Sequence, residues 1–430
     1  MKIDKLKILY VMSSPPSYAL YADRPRPLVN WDTSDGKWVG IWGYDWGDLL
    51  GNAVLMHSDK IDFEVLQLDL RADRVYEHCF SNGLKHLLFP AYRINQYGKT
   101  GLVSGSLFDY IEKTSRQTQV VLNIGANGVF AWLIAKKFTN LPIIGTWHGT
   151  IDLPFQEIFH LRKNVLKSFA YLRMHNLFKE AVKNFDLITY QNDENLISLE
   201  RFYKGPLEKI TMGVDFDEFF PRDKKSAREK LNLPLNKKVF LTISRLNTSK
   251  QIDKLIKVFN SLNPNFDFLL IIAGHGSGKY EKYIHELAKP LIDRDKILFP
   301  GYIRGKQLVN YYNAADLFMM VSKSEAGPVV SMEALACDIP IMTTDTGRVA
   351  EVLRENNTGI IVGKKSYKEW KDRIIRVIMG SQIQKLDYAL AKQLFSWPNI
   401  AFRFINSYKY ATRKKYCQNP NLKRSPASMI

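Results

Sequence analysis

The segment "KVFLTISRLNTSKQIDKLIKVFNSLNPNFDFLLIIAG", residues 238–274, decides the fold. Its first run, "KVFLTIS" (238–244), is apolar on both faces, and so is its last, "FDFLLIIAG" (266–274). A strand without a polar face has to be covered on both sides. Between the two runs lie a turn, with Ser249 as candidate N-cap, and then a helix. Two-sided apolar strands separated by helices imply a parallel sheet with helices on both faces, the doubly wound α/β arrangement.

The same alternation extends in both directions. "KILYVM" (7–12), "FEVLQL" (63–68), "QVVLNI" (119–124), "LPIIGTW" (141–147) and "DLITY" (186–190) precede the segment, and "KILFPG" (296–301), "DLFMMVS" (316–322) and "IPIMTT" (339–344) follow it. The two series are divided by the polar, lysine-rich stretch 213–238. A chain of 430 residues also exceeds the roughly 250–300 residues at which one core stops growing. Two domains are expected, 1–215 and 216–395, followed by a segment 396–414 and a basic tail, 415–430.

Composition narrows the class. With 46% hydrophobic and 24% charged residues the chain is an ordinary globular one. Cys79, Cys337 and Cys417 form neither a disulfide framework nor a CxxC metal site, and no cluster has the ligand spacing of structural zinc, so no metal is expected. The most apolar window, 120–135, is interrupted by Asn123, Asn127 and glycines and is short for a membrane span. "MKIDKLKILYVM" enters a strand directly, without the pattern of a secretory signal. The expected location is the cytoplasm.

The net charge of +18 attracts nucleic acid, anionic lipid or phosphorylated substrates. No RRM-like, zinc-finger or helix-turn-helix signature accompanies it, which argues against nucleic acid. Segment 160–185 interleaves Arg162, Lys163, Lys167, Arg173, Lys179 and Lys183 with aromatics. It reads either as a packed helix with a solvated basic face or as a peripheral contact with an anionic membrane.

Open parallel sheets bind ligands at the carboxyl ends of their strands. Four stretches occupy such ends. In "SEAGPVVSMEALACDIP" (324–340) a helix is predicted from about Pro328 to Cys337, with Pro328 as its first residue and the amides of Val329, Val330 and Ser331 free to bind an anion. Glu333 lies just beyond, in an apolar helix, and needs either a cationic partner or a ligand with adjacent hydroxyls such as a ribose. In "ISRLNTSK" (243–250) Arg245 and Lys250 suit a diphosphate, or else a solvated surface. In "AGHGSGKYEKY" (273–283) Gly274 opens a loop that could admit phosphate but lacks the P-loop spacing. In "GTWHG" (145–149) His148 follows a buried strand, as a structural or a functional histidine. The pair Asp215 and Asp217 mimics a metal-binding DxD but lies in the linker and is discounted. Segment 13–47 is long for a loop, and its aromatics and glycines favour a functional one.

Taken in order, these stretches resemble the retaining glycosyltransferases of family 4, which have the GT-B fold and an E-x7-E pair, here Glu325 and Glu333. "MGVDFDEFFP", "LFPGYI", "YYNAADLFMMVS", "DTGRVAEVLRENNTGIIV" and "FSWPNIAFRFINSY" extend the resemblance from Lys209 to Tyr408. The first half is similar only in outline. Departures are Ser244, Gln251 and Asp338, each where the family commonly has glycine, and the 13–47 insertion in place of a Gly-Gly loop, with Gly43 or Gly47 the nearest stand-in for acceptor contacts.

The resemblance implies two Rossmann-like domains facing each other across a cleft, the first binding the acceptor and the second the donor, with 396–414 a helix returning to the first domain. It implies transfer of a hexosyl-type sugar from a nucleoside diphosphate sugar to a glycan or lipid-linked acceptor, without a metal or other cofactor. Arg245 and Lys250 would hold the diphosphate. Gly274, Gly301, Gly327, Pro328, Val329 and Val330 would line the donor, Glu333 would hold the ribose and Glu325 the sugar. His148 would reach the transferring sugar. Other expectations are a pseudoenzyme, a phosphorylase or a sugar-nucleotide epimerase on the same fold.

Overall fold

A computed structural model describes residues 5–12, 46–70, 72–96, 101–126, 128–148, 165–276, 278–303 and 305–418. Contacts divide the chain into two compact units, Met1–Ile210 with Ile400–Ile430, and Thr211–Asn399.

The first unit contains β1 (Leu6–Met12), β2 (Ile61–Asp69), β3 (Tyr76–Cys79), β4 (Lys85–Pro90), β5 (Tyr92–Arg93), β6 (Leu102–Val103), β7 (Val120–Gly125), β8 (Ile143–Thr146), β9 (Leu187–Tyr190) and β10 (Leu207–Lys209). Eight of these form one sheet in the order β10-β9-β8-β7-β1-β2-β4-β3, parallel except for the β3/β4 hairpin. β1 is central, with Ile8 opposite Phe63 on one side and Val121 on the other. Its Ile8, Leu9 and Val11 have no exposed surface, and each such side chain contributes on the order of 1.5–3 kcal/mol by leaving water.

The helix Trp397–Gln418 adds its later part to this unit. Asn123 Nδ2 donates to the buried Tyr408 hydroxyl at 2.9 Å, Ser407 donates to Glu208 at 2.6 Å, and Lys414 donates to the Asp186 carbonyl at 2.9 Å.

The second unit contains β11 (Lys238–Ile243), β12 (Phe268–Ala273), β13 (Ile297–Gly301), β14 (Leu317–Met320), β15 (Ile341–Thr344) and β16 (Ile360–Val362). All pair in parallel, in the order β13-β12-β11-β14-β15-β16. Three strands progress one way from β11 and three the other way from β14, so the order reverses between these two. The 238–274 segment is β11, the helix Ile252–Asn260 and β12, as its apolar patterning predicts.

The first unit ends at Ile210, short of the expected 215. The reason is local packing: Val214 donates to the Phe395 carbonyl at 2.7 Å, and the rings of Phe216 and Phe219 meet Tyr388 and Tyr312. "MGVDFDEFF" is thereby anchored to the second core. Gly213 lies under the Trp397 ring, where a Cβ would come within 2.3 Å.

Candidate functional site

The reversal of strand order leaves a crevice at the carboxyl ends of β11 and β14. β11 runs out through Ser244 and Arg245 into a 3-10 turn, Thr248–Lys250. The cap of that turn is Asn247 and not Ser249: the Asn247 side-chain oxygen accepts from the Ser249 amide at 3.0 Å. Gln251 then starts the next helix at φ +52. That left-handed conformation explains why glycine is at ease at this position.

β14 runs out through Ser322 to Glu325. The two exits are tied together, since the Lys323 amide donates to the Ser249 carbonyl at 2.8 Å. Lys250 Nζ lies 2.5 Å from Glu325 Oε1, with the two side chains 19% and 12% exposed. The crevice therefore holds a charge-compensated pair. Arg245 is exposed and has no acid or carbonyl partner for its guanidinium among the described residues, so its charge is available to a ligand.

Gly274 explains the closeness of the loops. It sits at φ +124, and a Cβ there would come within 1.9 Å of the Ser244 carbonyl oxygen. Its amide donates to the Gly301 carbonyl at 2.7 Å, aligning the exits of β11, β12 and β13. Gly301 itself has no atom within 4 Å of where a Cβ would be and is distinguished only by φ +76.

The helix over the crevice runs Val329–Ala336, with Pro328 as its N-cap at φ −73 and ψ 98, one place before the expected first-turn position. The Ser331 amide, expected to be free, donates to the Pro328 carbonyl at 3.0 Å because the first turn tightens to 3-10 geometry. Gly327 and Pro328 lead into this turn, and the amides of Val329 and Val330 have no backbone acceptor among the described residues. At a helix start such donors carry the positive end of the dipole.

Among the described residues, neither an Arg nor a Lys answers Glu333. The hydroxyl of Tyr312, from the helix Gly305–Ala314, lies 2.6 Å from Glu333 Oε2 and 2.9 Å from the Val330 carbonyl. Burial pushes the Glu333 carboxyl up to about 7; the Tyr312 hydroxyl opposes the rise and the Glu218 carboxylate adds to it.

Three contributors escaped sequence reasoning: Tyr312, Thr346 and Gly347. Thr346 Oγ1 accepts from the Glu325 amide at 3.1 Å, and Gly347 is so close to the same loop that a Cβ would come within 2.9 Å of the Glu325 Cβ. Their signal is the position of "DTG" directly after the buried strand β15.

In the first unit, His148 follows β8, as expected. Its Nε2 is 2.6 Å from the Tyr10 hydroxyl and its ring lies 4.2 Å from that of Trp46. Although one edge reaches the surface, desolvation lowers the imidazole to about 4, so it is neutral at physiological pH. Gly47 packs so tightly that a Cβ would be 2.8 Å from Val65, a structural demand independent of any ligand. Gly43 lies outside the described residues. Asp215 accepts the amides of Asp217 and Glu218 at 2.8 and 3.1 Å, which gives this carboxylate a turn-capping role.

Residues 223–392 match the family described as Glycosyl transferases group 1, a span that holds Arg245, Lys250, Gly274, Gly301, Glu325 and Glu333. That match falls within the second unit, and the fold is GT-B. The D-inositol 3-phosphate glycosyltransferase of Mycobacteroides abscessus is 28% identical over 229 residues, 52% of this chain and 51% of that protein. The chain spans about half the length of the curated relatives it matches. Among solved structures, sucrose-phosphate synthase from Thermosynechococcus elongatus is similar with TM-score 0.64 and 17% identity, covering 95% of this chain and 100% of that one. Anabaena Alr3699/HepE in complex with UDP is similar with TM-score 0.65 and 16% identity, covering 94% and 99%.

Proposed function

We propose that this chain is a retaining, metal-independent glycosyltransferase of family 4 that moves a hexosyl-type sugar from a nucleoside diphosphate sugar to a hydroxyl of a glycan or lipid-linked acceptor. The observation that carries the reading is the Lys250–Glu325 pair, 2.5 Å apart at the switch point, on the same loop as Arg245, whose guanidinium has no acid or carbonyl partner among the described residues. When the bond between sugar and diphosphate breaks, negative charge grows on the leaving phosphate. Arg245, Lys250 and the Val329 and Val330 amides are donors suited to that charge, fixed before the reaction begins. Gly274 and Gly301 let the loops approach the donor, and Gly327 and Pro328 set the helix start. Glu325 orients the sugar and offsets Lys250; Glu333 accepts from the ribose.

The roles of His148 toward the transferring sugar and of Gly43 and Gly47 toward the acceptor rest on the resemblance alone. We place the reaction in surface polysaccharide or glycolipid synthesis on the cytoplasmic side. A peripheral contact with anionic membrane is supported by the helix Val165–Val182, where Phe169 and Leu172 are 60% and 50% exposed beside the exposed Arg173 and Lys179. Flotation with anionic vesicles and not with neutral ones is the expected result, and equal behaviour with both would remove this contact from the proposal.

The central test is turnover of UDP-, GDP- and ADP-sugars. Lys250→Ala is expected to lower it roughly 10²–10³-fold, the usual effect of losing one preorganised charge partner. Transfer at the parent rate would overturn the assignment.

A further inference from the structure

Tyr312 is fully buried, and its hydroxyl has one proton but two acceptors in reach, Glu333 Oε2 and the Val330 carbonyl. Val330 belongs to the helix turn whose amides face the proposed phosphate, while Glu333 Oε1 accepts no hydrogen bond among the described residues. Tyr312 thus connects the two ends of the proposed nucleotide site. Resting on that reading, we propose that Tyr312 is a positioning residue that couples the ionisation of Glu333 to nucleotide binding.

The proton positions follow from the geometry. With Glu333 ionised, Tyr312 donates to Oε2, and Oε1 is left to accept from ribose hydroxyls. With Glu333 protonated, the acid proton is donated to the Tyr312 oxygen and Tyr312 donates to the Val330 carbonyl; the carboxyl has then lost the charge that makes it a strong acceptor. Among the described residues, the titratable groups facing Glu333 are Tyr312, Glu218 from the segment before the helix Lys224–Lys230, and Cys337 at the C-cap of the helix that carries Glu333. A bound ribose selects the ionised form. Affinity should therefore be complete above the carboxyl's own titration, which burial pushes up to about 7, and should fall roughly tenfold per pH unit below it. Tyr312→Phe deletes the hydrogen bond that favours ionisation, so the midpoint should move upward.

The experiment is a calorimetric titration of the full chain with UDP-, GDP- and ADP-glucose from about pH 5.5 to 8.5, because the diphosphate diester of these probes has no group titrating in that range. The parent is expected to bind more tightly as pH rises through about 7. Tyr312→Phe should move that midpoint up by roughly one pH unit, with affinity regained at the alkaline end. Glu333→Gln should give a flat profile and keeps the test open if Tyr312→Phe fails to fold. A parent that binds with no pH dependence, a uniform loss at every pH in Tyr312→Phe, or a profile in Glu333→Gln that still rises through about 7 overturns the inference and leaves the nucleotide reading intact. A parent that binds none of the three at any pH overturns both.

Discussion

Replacing Lys250 with Met would leave Glu325, 12% exposed, without the cation that lies 2.5 Å away. Two unit charges at contact attract by about 4 kcal/mol at an effective dielectric constant near 20. Desolvation and side-chain ordering take back part of this, and at 19% and 12% exposure the pair lies between a surface bridge and a buried one. A coupling of about 2 kcal/mol is expected. The assay is a double-mutant cycle of Lys250→Met and Glu325→Gln, read by calorimetric unfolding without nucleotide. Each single variant should lose about 1–3 kcal/mol, and the double variant should lose less than the sum. Losses that add to within about 0.3 kcal/mol would refute the claim that the two loops are joined through this pair.

Gly274→Ala would force a methyl group to within 1.9 Å of the Ser244 carbonyl oxygen at φ +124. A loss of about 3 kcal/mol or more is expected, together with loss of sugar-nucleotide binding; parent-like melting would show that the loops are not so closely packed. His86→Ala would delete a fully buried side chain that meets Asp48 at 2.8 Å and Gln67 at 3.0 Å, and should cost about 1–3 kcal/mol in denaturant unfolding, whereas a cost below about 0.5 kcal/mol would mean that these two contacts do not hold the first core together. Asp338→Gly relaxes a φ of +56 just after the helix Val329–Ala336 and should gain up to about 1 kcal/mol; a clear fall in melting temperature would mean that the Lys385 pair outweighs the backbone strain.

The sheets were legible because their strands are apolar on both faces, and β11, β12 and β14 contain no fully exposed residue. β3 and β4 were not anticipated: β3 alternates half-buried and exposed residues, and β4 carries the buried His86. Their signal is the Asn82-Gly83 turn, with Gly83 at φ +87, which is a hairpin mark and not a crossover mark. Lys250 and Glu325 could be named from the sequence as separate residues at two strand ends. Their pairing could not, because it depends on β11 and β14 being neighbours although β12 and β13 intervene in the chain. Tyr312 was hidden for a related reason: a tyrosine in an apolar helix looks like core until the acceptor opposite its hydroxyl is known. The departures at Gln251 and Asp338 have a plain backbone explanation, since both residues adopt the left-handed conformation that glycine tolerates best.

The most direct test of the account is a crystal structure of the chain with a bound sugar nucleotide. The diphosphate is expected between Arg245, Lys250 and the Val329 and Val330 amides, with the ribose on Glu333 and the sugar beside Glu325. A nucleotide bound away from the carboxyl ends of β11 and β14 would contradict it.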